Sequence, residues 1–200
     1  MAHCYSPGNT VAEFGSKEWI EKNILRIHRR IDRMRSKSTK VNHAKRKKLQ
    51  RKMRKLYWKI KERVRNLHWQ TVRWMCSRHS VVLMGHLKTS EITKKANRVM
   101  GKKATRVMLA LSHYQLQRRL LMKAEELGCQ ARLVNERLTT KTCTMCSNIN
   151  RGIGGSESFF CPNPLCELAI HRDLNAARNI LIMNLSVLKD VLESMRNATA

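Results

Sequence analysis

Acid is what this 200-residue chain has least of: 14 Asp and Glu stand against 41 Lys and Arg, a formal net charge of +27. So one-sided a balance makes a polyanion the default partner and points to nucleic acid. Aspartate is scarcer still, at Asp32, Asp173 and Asp190 only. Aromatics make up 5%, too few for a platform that stacks a single strand base by base. No apolar run approaches the roughly 18 residues needed to span a bilayer, and the N-terminus lacks the apolar block of a secretory signal. The expected location is therefore intracellular, and nuclear in a eukaryotic cell, with cysteines kept reduced. The length suits one globular domain, or one with a small appendage.

What is present is concentrated between Thr139 and Asn179. Four of the seven cysteines form two close pairs there, Cys143/Cys146 and Cys161/Cys166, joined by a Gly/Ser-rich connection. Thiolates prefer tetrahedral zinc, and two such pairs on a hairpin-sized loop are how a zinc ribbon presents four ligands to a structural Zn²⁺. The second pair has four intervening residues, and Ser147 and Glu167 stand where a glycine often follows a knuckle's second cysteine. Two disulfides, or free core thiols, are the alternative. A reducing compartment disfavours the disulfides. Directly after the ribbon, His171-Arg172-Asp173-Leu174-Asn175-Ala176-Ala177-Arg178-Asn179-Ile180 starts a helix, and Asp173 reads most simply as its N-cap.

Along the chain, residues 1–15 read as a hairpin around Pro7-Gly8-Asn9, which needs a sheet to join. His3 and Cys4 lack partners at metal-ligand spacing and read as packing residues. From Ser16, a candidate N-cap, Ile20, Ile24, Ile27, Ile31 and Met34 repeat at helical spacing. After a break at Ser36–Lys40, a second seam follows through Leu49, Met53, Leu56, Ile60, Val64, Leu67, Thr71 and Trp74. Two seams of one period joined by a short polar link predict an antiparallel helical hairpin. Between Arg26 and Arg65 its only acids are Asp32 and Glu62. Such a face is either merely solvated or turned toward phosphates, and Arg46, Lys47, Arg51, Lys52, Arg54 and Lys55 are the candidate contacts. Lys45-Arg46-Lys47-Lys48 also resembles a nuclear-import patch. Val81–Met84 is a short apolar run expected to be a strand buried on both faces. Residues 91–103 read as basic and irregular. A helix is expected from about Lys103 to Leu127 with Met108, Leu109, Leu111, Leu116, Leu120, Ala124 and Leu127 inward, closed by Gly128. Tyr114 and the Arg118-Arg119 pair read equally well as nucleic-acid contacts and as packing. Ala131–Glu136 is expected as a strand, and one last helix as an apolar stripe through Leu174, Ala177, Leu181, Leu185, Leu188, Leu192 and Met195.

The four cysteines together with the His171–Ile180 segment resemble the zinc ribbon and final RuvC segment of the transposon-encoded TnpB nucleases, and most of all their eukaryotic relatives, the Fanzor proteins. The flanks Thr89-Ser90-Glu91, Ser112-His113-Tyr114 and Val134-Asn135-Glu136 carry the same resemblance, which covers about Tyr5 to Ile182. It implies an α/β chain: a truncated RNase H-like (RuvC) fold over 1–138 with a basic helical hairpin inserted at about 16–78, a four-cysteine zinc ribbon at 139–170, and a final helix at 171–200. It also implies DNA and RNA partners, a guide RNA among them, and Mg²⁺ held by carboxylates from separate elements. Glu136 and Asp173 would be two of those acids. Gly85 stands where bacterial members carry a catalytic glutamate, with Glu136 as the relocated acid of the Fanzor branch. The third acid should lie on a strand ahead of the hairpin that opens this chain. None of the three aspartates fits that position, and Glu13 is on the wrong strand. The expectation is a nucleic-acid-binding fragment with little or no nuclease activity alone. The alternatives are an active endonuclease completed by an upstream or partner segment, and a non-enzymatic zinc-ribbon regulator.

Overall fold

The computed structural model of the chain describes residues 2–8, 10–87, 89–94 and 101–199. Asn9 of the expected turn, residues 95–100 of the expected irregular stretch and the side chain of Glu91 lie outside that description. The chain divides into two compact units, one built from Phe14–Arg73 and Lys88–Arg119, the other from Ala2–Glu13, Trp74–Leu87 and Leu120–Ala200.

The first unit is helical. The Ser16 hydroxyl accepts the Trp19 N–H at 3.2 Å and caps α1 (Lys17–Ile20), which passes through a π-helical turn (Glu21–Leu25) into α2 (Arg26–Ser38). Ile24, Ile27 and Ile31 are buried on one face, as their spacing predicts. The chain then reverses, and the Asn42 side chain accepts the Lys45 N–H to start α3 (His43–Arg78). Ile60 and Val64 of α3 close the core against the isoleucines, with Met53, Leu56 and Tyr57 around them. Arg35 donates to Tyr57 and Arg63 to the Lys22 carbonyl. Late residues of one helix thus meet early residues of the other, and the hairpin is antiparallel. After α4 (Thr89–Thr93) come α5 (Lys102–Leu111) and α6 (His113–Glu126). These two replace the single helix expected from Lys103, because Ser112 takes a left-handed φ of 45° and resets the helical phase. Leu116, Leu120 and Ala124 are buried as expected, whereas Leu109 and Leu127 are exposed. His68 joins this unit's helices: its Nε2–H donates to the Leu111 carbonyl at 2.9 Å, and its Nδ1 accepts from Arg119 at 2.6 Å. The Arg119 guanidinium also lies 5.7 Å over the Trp69 ring, so it packs internally.

Among the described residues, the second unit holds three two-stranded sheets. β1 (Ala2–Tyr5) pairs with β2 (Val11–Phe14). β3 (Val81–Gly85) and β4 (Gln130–Val134) run parallel, in register from Val81↔Gln130 to Gly85↔Val134. Gly128, at φ 68°, ends α6 ahead of β4 as expected. β5 (Ser158–Phe160) and β6 (Ala169–His171) are antiparallel, followed by α7 (Arg172–Met183) and α8 (Leu185–Thr199). In β3 only Val82 is buried, which corrects the expectation of a strand covered on both faces. β4 flanks β3 on one side, and among the described residues no strand flanks the other. α7 packs on both β1 and β3. The last helix is broken at Asn184, whose side chain donates to the Ile180 and Asn135 carbonyls at 2.8 and 3.2 Å. The expected leucine stripe is therefore not one buried face: Leu185 and Leu192 are exposed, while Asn175, Asn179 and Val191 are buried.

Candidate metal centre and nucleic-acid interface

Cys143, Cys146, Cys161 and Cys166 place all four Sγ atoms within 4.8 Å of one another. Cys143 and Cys166 are 3.7 Å apart and Cys146 and Cys161 3.4 Å, close to the ~3.8 Å edge of a tetrahedron with metal–sulfur bonds of about 2.3 Å. The thiols are unbridged, so the disulfide alternative is not what this arrangement offers, and the donor set fits one thiophilic ion. The backbone N–H and side-chain amide of Asn148 pull the Cys146 thiol down to about 6, toward the thiolate that a metal requires, whereas burial pushes its neighbour Cys161 up to about 12. Phe159, fully buried, and Ile153 pack beside the cluster. Ser147 and Glu167, which stand at glycine positions, take left-handed φ angles of 61° and 49°. The knuckle turns are thus kept without the residue that makes them easiest.

What holds this cluster to α7 is a pair of asparagines. Asn175 and Asn179, one helical turn apart and 0% and 2% exposed, both donate to the Thr139 and Thr142 carbonyls, with distances from 2.6 to 3.4 Å. The Asn175 side-chain oxygen also accepts the Thr144 N–H. Two buried amides on one helix face are a legible signal, and reading the segment only as a helix start passes over it.

Asp173 lies in the first turn of α7, and His171, not Asp173, is the N-cap: His171 Nδ1 accepts the Asp173 N–H at 3.2 Å. The Asp173 carboxylate is shared, Oδ1 meeting Arg172 Nε at 3.3 Å and Oδ2 facing His3 Nε2 at 3.6 Å. The His3 and His171 rings stack at 4.9 Å. Burial lowers the His3 pKa, although the nearby Asp173 charge acts the other way. His3 is therefore part of a cluster, which sequence spacing could not show because its partners are far along the chain.

Glu136 lies two residues past the end of β4, beyond the carboxyl end of the parallel pair. Its side chain covers the Cα of Gly85 at the end of β3: a Cβ placed on Gly85 would collide with the Glu136 carboxylate and lie 3.0 Å from its Cβ. Burial raises the Glu136 pKa, partly offset by His86. Asp32 is held by Arg106 at 2.5 Å, and Asp190 sits in α8.

On α3, Arg46, Lys47, Arg51, Lys52, Arg54 and Lys55 are all exposed. Arg46 donates to the Ser38 carbonyl at 3.1 Å, so it is tied to the hairpin turn. Trp58 is 65% exposed in the same stretch. It lies off the Leu56/Ile60 seam, which could have marked it as a surface aromatic.

Residues 113–180 match the family model described as Cas12f1-like, TNB domain. The TnpB-like protein L79 of Acanthamoeba polyphaga mimivirus is 32% identical over 145 residues, covering 72% of this chain and 27% of that protein. This chain belongs to the TnpB family. The putative transposase A625R of Paramecium bursaria Chlorella virus 1 is 31% identical to this TnpB-family chain over 168 residues, 84% of this chain and 36% of the viral protein. The chain thus spans about a third of the length of these curated relatives. Among solved structures, the Cas12f1–sgRNA–target DNA complex matches with a TM-score of 0.54 at 18% identity, over 78% of this chain and 41% of that chain. The mixed helix–strand fold of the TnpB-family chain is therefore shared with part of the Cas12f1 chain of that complex.

Proposed function

We propose that this chain is the nucleic-acid-binding, RuvC-type portion of a Fanzor-like RNA-guided DNA endonuclease of mobile-element origin. The observation that carries the reading is Glu136 over Gly85: a carboxylate from the end of β4 occupies the space that a side chain at the end of β3 would fill. A catalytic acid moved from one strand end to its parallel neighbour would look like this. Glu136 and Asp173 then supply two of the carboxylates that hold Mg²⁺, an ion that takes hard oxygen ligands and orients phosphate and water when bound. Cys143, Cys146, Cys161 and Cys166 hold Zn²⁺ as a ribbon whose role is structural. The exposed cations of α3 face phosphates, and Trp58 offers a ring on which a base can stack.

With Asp32 paired to Arg106 and Asp190 in α8, neither of the other two aspartates joins Glu136 and Asp173 at the metal, so the 200-residue polypeptide alone binds nucleic acid without cutting it. The test is Mg²⁺-dependent cleavage of labelled DNA by this chain, co-expressed with its flanking transcript as candidate guide, beside Asp173→Ala. Salt-sensitive binding without cleavage is expected. Cleavage abolished by Asp173→Ala would instead establish the active enzyme. That second reading draws on the separate β1–β2 and β3–β4 pairs packed on one helix, an arrangement that a strand supplied by a longer or partner chain could complete. Binding unchanged by Asp173→Ala and Glu136→Ala together, in a chain that never cleaves with any guide, would favour a zinc-ribbon regulator.

A further inference from the structure

Two imidazoles and one carboxylate converge where β1 meets the start of α7. His3 Nε2 has no hydrogen-bond partner although it is buried, and it faces Asp173 Oδ2 at 3.6 Å. The ring of His171 stacks on that of His3. One ligand atom from each of the three residues fits within a span of 4.8 Å. We infer that His3, His171 and Asp173 form a second metal site, selective for a first-row transition dication such as Zn²⁺ or Co²⁺ and distinct from the four-cysteine cluster.

The chemistry is that of the donors. Metal–nitrogen and metal–oxygen bonds of about 2.1 Å put neighbouring ligand atoms ~3.4 Å apart in a tetrahedron, close to the 3.6 Å that already separates His3 Nε2 from Asp173 Oδ2. Imidazole nitrogen favours transition cations, whereas Mg²⁺ takes oxygen. Two neutral rings and one carboxylate leave a net charge of +1 on a bound dication, with open positions for water. The Asp173 carboxylate is already divided for the task, because Arg172 occupies Oδ1 and leaves Oδ2 to the histidines. His171 is the ligand that must give something up. In its neutral form, with Nδ1 accepting the Asp173 N–H, its proton is on Nε2, so it coordinates through Nδ1 and releases the cap. Occupancy would tie β1 to α7 and engage the same Asp173 that the nuclease reading assigns to Mg²⁺. The site itself does not depend on that reading.

The test reads binding, not cleavage. The full chain, extended at its N-terminus by a short Gly/Ser segment so that the α-amine takes no part, is loaded with one equivalent of Zn²⁺ at the cysteines and titrated with Co²⁺ in excess Mg²⁺. A second equivalent of metal is expected, with weak visible bands and without the sulfur-to-cobalt charge-transfer absorption that displacement at the cysteines would give. His3→Gln and His171→Asn should each weaken that uptake at least tenfold while the cysteine-bound Zn²⁺ stays in place. Asn at 171 can still cap α7, so circular dichroism of this variant should match that of the parent. Saturation at one metal per chain, or uptake by His3→Gln equal to that of the parent, would overturn the site whether or not the chain proves to be a nuclease.

Discussion

Ser147 and Glu167 show what a single residue decides. Each follows the second cysteine of its pair and adopts φ above 45°, where any side chain is crowded and glycine is not. The strain is tolerated because the turn must aim Sγ atoms at a common point: the Ser147 N–H donates to the Cys143 carbonyl and the Cys143 N–H to the Asn148 carbonyl. Replacing either residue with glycine should stabilise the metal-loaded chain by about 0.5 kcal/mol, the relief of strain less the greater freedom of an unfolded glycine. Thermal unfolding of Ser147→Gly and Glu167→Gly with Zn²⁺ bound reads this, and a lower melting temperature for both would refute it.

At the level of elements, the contacts that matter are between a helix and what it grips. Asn175 and Asn179 donate to the same two carbonyls, so removing one leaves each carbonyl with a partner and removing both leaves two buried acceptors bare. Asn179→Ala alone should cost about 1 kcal/mol, and the double alanine variant more than the two single costs added, by roughly another 1–2 kcal/mol. Urea unfolding of the four species measures the coupling. His68 does similar work among α3, α5 and α6. Desolvation, helped by the charge of Arg119, lowers its pKa to about 4, against about 6.5 in an unfolded chain. Between those values the unfolded state binds a proton that the folded state refuses. Its contribution is therefore complete above about pH 6.5 and is lost as pH falls toward 4, by up to roughly 3 kcal/mol. Unfolding free energies at pH 7 and pH 4.5, compared with those of His68→Leu, should show the steeper pH dependence in the parent.

For the molecule as a whole, charge decides more than shape. A net +27 with an α3 surface that carries no acid from His43 to Lys61 is costly to leave unpaired, and phosphate is what relieves it. Observed affinity for duplex DNA should fall linearly with the logarithm of salt concentration. Each phosphate contact removed should flatten the slope by about 0.9. Changing Arg51, Lys52, Arg54 and Lys55 together to glutamine should therefore reduce the slope by roughly 3–4. A slope unchanged in that variant would move the interface off α3.

What sequence determined by itself was whatever depends on local periodicity and composition. The helical seams through Ile24–Ile31 and Ile60–Val64, the cysteine pairs, the Gly128 stop and the basic face all follow from spacing and charge, and the fold has them. The resemblance carried by the flanking motifs named the family. Tertiary structure decided what depends on distant partners. Spacing did not reveal the breaks at Ser112 and Asn184, because each is a local departure from helix inside an otherwise helical pattern. It placed Asp173 as a cap because the competing ring of His171 is invisible until the turn forms. It left His3 among packing residues, since a strand at one end of the chain meets a helix 170 positions later only through the fold. For the same reason, that Glu136 covers Gly85 is a fact of parallel strand register, and no local pattern encodes it.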